Sequence, residues 1–322
     1  ADRGGEHGCG AIHAGAAAEA GRWLSASFAQ RLSDAVAQRR SQIVLGLDPD
    51  PAELWPASAA AAAGPGSPAE RAARAVLEHC RALIEAAGPA CVAVKPQLAC
   101  FERLGAPGWA ALAEVVDVAH SSGLLVIADA KRGDFPPTAA AYAQALAGAT
   151  PTLAGEVPGL GADAFTVNPL LGADSLAPFV ASGAGVFVLV HTSNAGAADL
   201  QDLELEGGER VWERLARLVD GLGAVAPCGL SDVGAVMGAT VPELLVRARE
   251  LMPHAIFLLP GVGAQGGRVE DLAAAFAPGR AGGLVSASRS IAGAHRSSGA
   301  EPAQAAHAEA QRLREIAWAL AG

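Results

Sequence analysis

Asp129, Lys131 and Asp134 stand close together where the apolar run Leu124-Leu125-Val126-Ile127-Ala128 ends. Side chains alternate along a strand, so Asp129 and Lys131, two apart, point to one side. Asp134 follows on a loop that Pro136 and Pro137 stiffen, and Thr138 can then open a helix. Lys95 ends another apolar run and adds a further cation. An ammonium flanked by carboxylates keeps its proton, because nearby negative charge favours the cation. That suits a proton donor and not a Schiff-base nucleophile. A fixed carboxylate repels a substrate carboxylate, and the repulsion fades once carbon dioxide leaves a carbanion beside the ammonium. Isolated charges of this kind usually form a salt-bridged surface turn. That reading suits Arg132, but it fits the group less well, because other polar strand ends converge on it.

A second set of residues suits an anion. Pro260-Gly261-Val262-Gly263-Ala264-Gln265-Gly266-Gly267 is followed in the chain by Ser286-Ala287-Ser288-Arg289-Ser290. Glycines such as Gly266 let backbone N–H groups approach a phosphate, and Arg289 offers a planar, permanently charged fork. Gln265 on such a loop can close over a ligand. The glycines alone indicate only a tight turn; coupled with Arg289 they point to a phosphate site.

Short apolar runs near 43–47, 91–95, 124–128, 163–167, 185–190, 233–237, 255–259 and 283–287 can position these residues. Amphipathic helical stretches separate them. Phe28, Leu32 and Val36 make one stripe, as do Val76, Leu77, Cys80, Leu83 and Ile84. Gly88-Pro89 is expected to end the latter helix, with Gly88 in the C′ position. Leu244, Leu245, Ala248 and Leu251 mark another helix, and a closing one runs around 302–320. Continuous apolar strands alternating with helices predict a parallel sheet covered on both faces, and eight units predict a closed (β/α)₈ barrel, one α/β domain over 28–322. In that fold the site lies where strands end. Asp48, Lys95, Asp129, Lys131, Asn168, Thr192, Ser193, Gln265 and Arg289 all fall at such ends.

The 322 residues and 51% hydrophobic content allow a large core, and the formal charge of −10 argues against a nucleic-acid surface. The five cysteines include no CxxC pair, which favours reduced thiols in the cytoplasm over disulfides or zinc. No apolar run reaches the ~18 residues of a membrane span. Residues 1–27 lack the basic start and apolar stretch of a signal peptide, and a poorly ordered extension is expected there.

In combination and order these motifs resemble the orotidine 5'-phosphate decarboxylase family, most closely its longer bacterial subgroup (type 2). Asp129, Lys131, Asp134 and Thr138 fit its Asp-x-Lys-x-x-Asp pattern and the Thr that follows. Leu45-Gly46-Leu47-Asp48-Pro49, Val94-Lys95-Pro96-Gln97, Thr166-Val167-Asn168-Pro169, Thr192-Ser193-Asn194, Met237-Gly238-Ala239-Thr240 and the 260–267 segment carry the rest, over about Phe28 to Ile291. The resemblance implies conversion of orotidine 5'-monophosphate to uridine 5'-monophosphate and carbon dioxide, without metal or organic cofactor. It implies that Lys131 protonates C6 and Asp129 presses on the substrate carboxylate. Asp48 and Lys95 hold ribose hydroxyls, and Thr192 or Ser193 meets the pyrimidine. Gln265, Gly266 and Arg289 take the phosphate. Asp134 and Thr138 reach into the partner's site of a homodimer. Leu170 replaces an expected Tyr, and Phe135-Pro136-Pro137 departs from the pattern after Asp134, so the two loops differ while the charges stay.

Two rival readings have distinct signatures. A metal-dependent sugar-phosphate lyase on the same barrel needs a carboxylate where this chain has Lys95, which would repel Mg²⁺. A barrel that only binds nucleotides would show decay in the charged set, and every member of that set is present.

Overall fold

A computed structural model describes residues 26–322. The strands are β1 (Ile43–Leu47), β2 (Ala93–Pro96), β3 (Leu125–Arg132), β4 (Ala149–Thr152), β5 (Gly155–Pro158), β6 (Ala164–Val167), β7 (Gly185–His191), β8 (Ser231–Met237), β9 (Ala255–Pro260) and β10 (Gly283–Ala287). Eight of them close in the order β1-β10-β9-β8-β7-β6-β3-β2. Ile43 lies opposite Val285 and Val44 opposite Ala93, so parallel pairing on both sides of β1 completes the ring. The chain therefore forms the expected (β/α)₈ barrel. β4 and β5 make an antiparallel hairpin outside the ring, exposed along its length and not among the expected strands.

The main helices are α1 (Phe28–Arg39), α2 (Pro68–Ala87), α3 (Ala106–Ser121), α4 (Pro136–Leu146), α5 (Ala173–Val180), α6 (Val211–Leu222), α7 (Leu244–Leu251) and α8 (Pro302–Leu320). α2 starts on a reciprocal cap between Ser67 and Glu70, with Pro68 in the first turn. It does not end on a left-handed Gly88. That residue keeps helical geometry (φ −52°) and leads into a 3₁₀ turn. A Cβ there would lie 3.1 Å from Leu124 Cδ1, so Gly88 serves a close packing contact. α4 begins at Pro136 with Phe135 in the cap position, two residues before Thr138. Of the extension expected at 1–27, only Ala26 and Ser27 belong to the described residues, and the Ser27 hydroxyl caps α1.

The barrel has two faces with different partners. Ile43, Leu45, Val94, Val126, Ala128, Phe165, Val186 and Val188 pack outward with the helices. The alternate positions Val44, Ala93, Leu125, Ile127, Ala164, Phe187, Leu258 and Leu284 join the α1 stripe of Phe28, Leu32 and Val36. The Phe28 ring meets Phe187 edge-on at 5.9 Å, and a Cβ on Gly185 would lie 2.3 Å from it. α1 thus plugs the end where the strands begin, which leaves the other end open.

Candidate active site

Following each strand toward that open end turns the inner face polar. Ala93 is followed on its face by Lys95, Ile127 by Asp129, and Ala164 by Thr166. Lys95, Asp129 and Thr166 are nevertheless buried. Asp129 Oδ2 accepts from Lys95 Nζ at 2.6 Å and from Gln97 Nε2 at 3.1 Å. Its Oδ1 accepts from Lys131 Nζ at 2.5 Å and from Thr166 Oγ1 at 2.9 Å. Burial alone would push the Asp129 carboxyl up. The two ammonium groups, Lys95 first, and their hydrogen bonds hold it well below the usual carboxylate range. Burial would likewise discharge Lys95, but Asp129 and then Asp48 hold its pKa above the usual value.

Lys131 reaches Asp129 by a route that strand alternation does not describe. Its backbone sits in the left-handed region (φ 48°), where β3 shifts register against β6. The Lys131 amide donates to Thr166 Oγ1 at 2.9 Å, so one hydroxyl fixes both the carboxylate and the bent backbone. A non-glycine residue there costs about 1–2 kcal/mol, a strain that persists where surrounding contacts over-determine it.

These groups wall a cavity of about 530 Å³. Of the expected site residues, it gathers Asp48, Lys95, Asp129, Lys131, Thr192, Ser193 and Gln265, over an apolar floor of Leu189, Val236 and Leu258. That size accommodates a mononucleotide. Ser193 Oγ donates to Gln265 Oε1 at 2.7 Å, joining the loops after β7 and β9.

Four expected residues stand outside this wall. Gly266 lies in a loop that folds on itself, its N–H donating to Gly263 O at 2.9 Å. Arg289 is exposed and lines a second cavity, of about 660 Å³, with Ser290, Gln304 and Arg312 beside α8. The two segments expected to hold a phosphate still touch: a Cβ on Gly263 would lie 2.8 Å from Ser290 Cβ. The Ser290 hydroxyl is buried there without a hydrogen-bond partner. Asp134 accepts only from the Phe135 amide, at 2.7 Å, and forms no ion pair among the described residues. Thr138 is exposed on the first turn of α4. Gln97, Thr166 and Gln201 were not expected in the site. The alternating face of β6 could have indicated Thr166, whereas nothing in the local sequence marks Gln201.

A parallel barrel with fixed alternating charge around a cavity at its carboxyl end defines an enzyme acting on a small anion. Residues 41–307 match the family model described as "Orotidine 5'-phosphate decarboxylase / HUMPS family". The chain belongs to that family. It is 41% identical over 276 residues to the orotidine 5'-phosphate decarboxylase of Rhodopirellula baltica, covering 84% of this chain and 89% of that protein. It is also 41% identical over 273 residues to the Deinococcus radiodurans enzyme of the same name, at 83% and 90% coverage. The solved structure of Leishmania donovani OMP decarboxylase matches with a TM-score of 0.67 and 33% identity, covering 90% of this chain and 99% of that one.

Proposed function

We propose that this chain decarboxylates orotidine 5'-monophosphate to uridine 5'-monophosphate and carbon dioxide, the last step of pyrimidine nucleotide synthesis. The observation that carries the reading is Asp129, kept ionised between Lys95 and Lys131 on the wall of the cavity. A substrate carboxylate placed against Asp129 is repelled in the ground state. When the C6–carboxylate bond breaks, its electron pair stays on C6 and carbon dioxide departs. The Lys131 ammonium then supplies the proton that C6 takes up. The interaction improves only as the reaction proceeds, which is the condition for rate acceleration.

Asp48 and Lys95 hold the ribose hydroxyls, and Ser193 and Thr192 lie at the pyrimidine. Gln265, Gly266 and Arg289 receive the phosphate, with Arg289 turning inward from its place beside α8. The metal-dependent lyase reading fails on Lys95: its ammonium stands 2.6 Å from Asp129, where a divalent cation would have to sit.

The reading extends to a homodimer with shared sites. Phe135 is 68% and Leu170 73% exposed, on loops so close that a Cβ on Gly133 would lie 2.8 Å from Asn168 O. Apolar side chains beside the uncommitted Asp134 suit a second copy. The unpaired thiols of Cys80, Cys91, Cys100 and Cys228 suit a reducing cytoplasm.

The test is Lys131→Ala. Its turnover is expected to fall at least about 10³-fold with the fold intact. Near wild-type kcat would remove Lys131 from its role.

A further inference from the structure

The loop after β7 contains a hydrogen-bond chain whose direction is fixed at one end. The Thr192 backbone N–H donates to Gln201 Oε1 at 2.8 Å. A backbone amide can only donate, so the atom facing it must be the carbonyl oxygen, and the Gln201 NH₂ is set on the other side. That NH₂ donates to Thr192 Oγ1 at 3.0 Å. The Thr192 hydroxyl, already accepting from Gln201, has two acceptors in reach and sends its own proton to the nearer, Asn194 Oδ1 at 2.7 Å, with Gln201 Oε1 at 3.3 Å. The Asn194 NH₂ is thereby left without a hydrogen-bond partner among the described residues. Thr192, Asn194 and Gln201 all line the cavity.

The start of the chain is firmly held. The Trp212 N–H donates to Gln201 O at 2.9 Å, and the Gln201 N–H donates to Ala197 O at 2.7 Å. The neighbouring Asp202 lies 3.2 Å from Nε2 of His191, the last residue of β7, and His191 packs edge-on against Trp212. These contacts fix the Gln201 backbone beside Thr192, and the Thr192 N–H fixes which way the side-chain amide faces.

We propose that Gln201 is a positioning residue that sets the polarity of Thr192 and Asn194. Through them it makes this stretch of wall a hydrogen-bond donor, selecting a base edge with a ring carbonyl over one with an amino group. The inference rests on the pyrimidine-nucleotide reading above. The Thr192 hydroxyl is spent inside the protein, so it supports Asn194 and does not donate to the base.

Gln201→Glu reverses the chain. The carboxylate still accepts from the Thr192 N–H but also takes the Thr192 hydroxyl proton. Asn194 must then donate to Thr192 and turn its carbonyl to the cavity. Asn194→Asp places acceptors there directly, on an exposed residue whose replacement leaves the fold intact. The experiment is titration of wild type and both variants with uridine and cytidine 5'-monophosphate, beside kcat and KM for orotidine 5'-monophosphate. Wild type is expected to prefer the uridine nucleotide. Each variant should narrow that preference by about tenfold or more, roughly one hydrogen bond's worth. KM should rise more than kcat falls. Both nucleotides weakened equally, with the ratio kept, would reduce Gln201 to scaffolding and overturn the proposal. A wild type that binds neither nucleotide would instead remove the reading on which it rests.

Discussion

At the scale of single residues, the central feature is one carboxylate shared by two ammonium groups. Asp129→Asn keeps the shape and removes the charge. Turnover is expected to fall by about 10³-fold or more, because the group acts through its charge. Stability should fall as well, by about 2–4 kcal/mol, since Lys95 is left buried without its counter-charge. Adding Lys95→Met should restore much of the stability and none of the activity. Denaturant unfolding and turnover assays on the single and double variants separate the two effects. A stable, inactive Asp129→Asn protein would mean that Lys95 finds another partner. Arg289→Ala is expected to lower both kcat and kcat/KM, because phosphate binding far from C6 helps reach the transition state. Unchanged kinetics would show that Arg289 stays beside α8 throughout.

At the scale of elements, the segments after β1 and β10 are stitched together away from the charges. The Trp55 N–H donates to His79 Nδ1 at 3.2 Å, and Trp55 Nε1 donates to Ala292 O at 2.9 Å. His79 lies on α2, and burial, followed by the charge of His295, lowers its pKa to about 4. The unfolded chain binds a proton near pH 6.5, so it gains protons first as pH falls. The stabilisation is complete above about pH 6.5 and drains away down to about pH 4, by about 3 kcal/mol. Melting temperatures across that range should show the slope, and His79→Gln should flatten it. An unchanged slope would place the titrating group elsewhere. Asp129 acts in a lower window: its depressed carboxyl stabilises above the usual carboxylate range, and that stability is lost only in stronger acid.

Much of this was legible in the sequence because it depends on period two and on strand ends. Leu125, Ile127 and Asp129 share one face by alternation alone, and the α1 stripe could be read from spacing. Other parts depend on contacts between distant segments. The left-handed Lys131 is set by a register shift against β6 and by Thr166. Gly88 looks like a helix stop in the sequence but is fixed by Leu124. The β4–β5 hairpin gains no burial that a hydrophobic pattern could report, and Gln201 matters only because its loop folds back onto Thr192.

At the scale of the whole molecule, the proposed dimer makes each site depend on two chains. Lys131→Ala and Asp134→Ala should each be nearly inactive alone. Mixed under conditions that exchange subunits, half the dimers are hybrids with one intact site, so about a quarter of wild-type activity should return. No recovery from exchanged subunits would mean that Asp134 acts within its own chain. The account as a whole is tested most directly by the loss of orotidine 5'-monophosphate absorbance with purified protein, with and without a chelator. Rapid conversion to uridine 5'-monophosphate at the same rate in both is the expected result. Tight binding without conversion, or conversion abolished by the chelator, would contradict it.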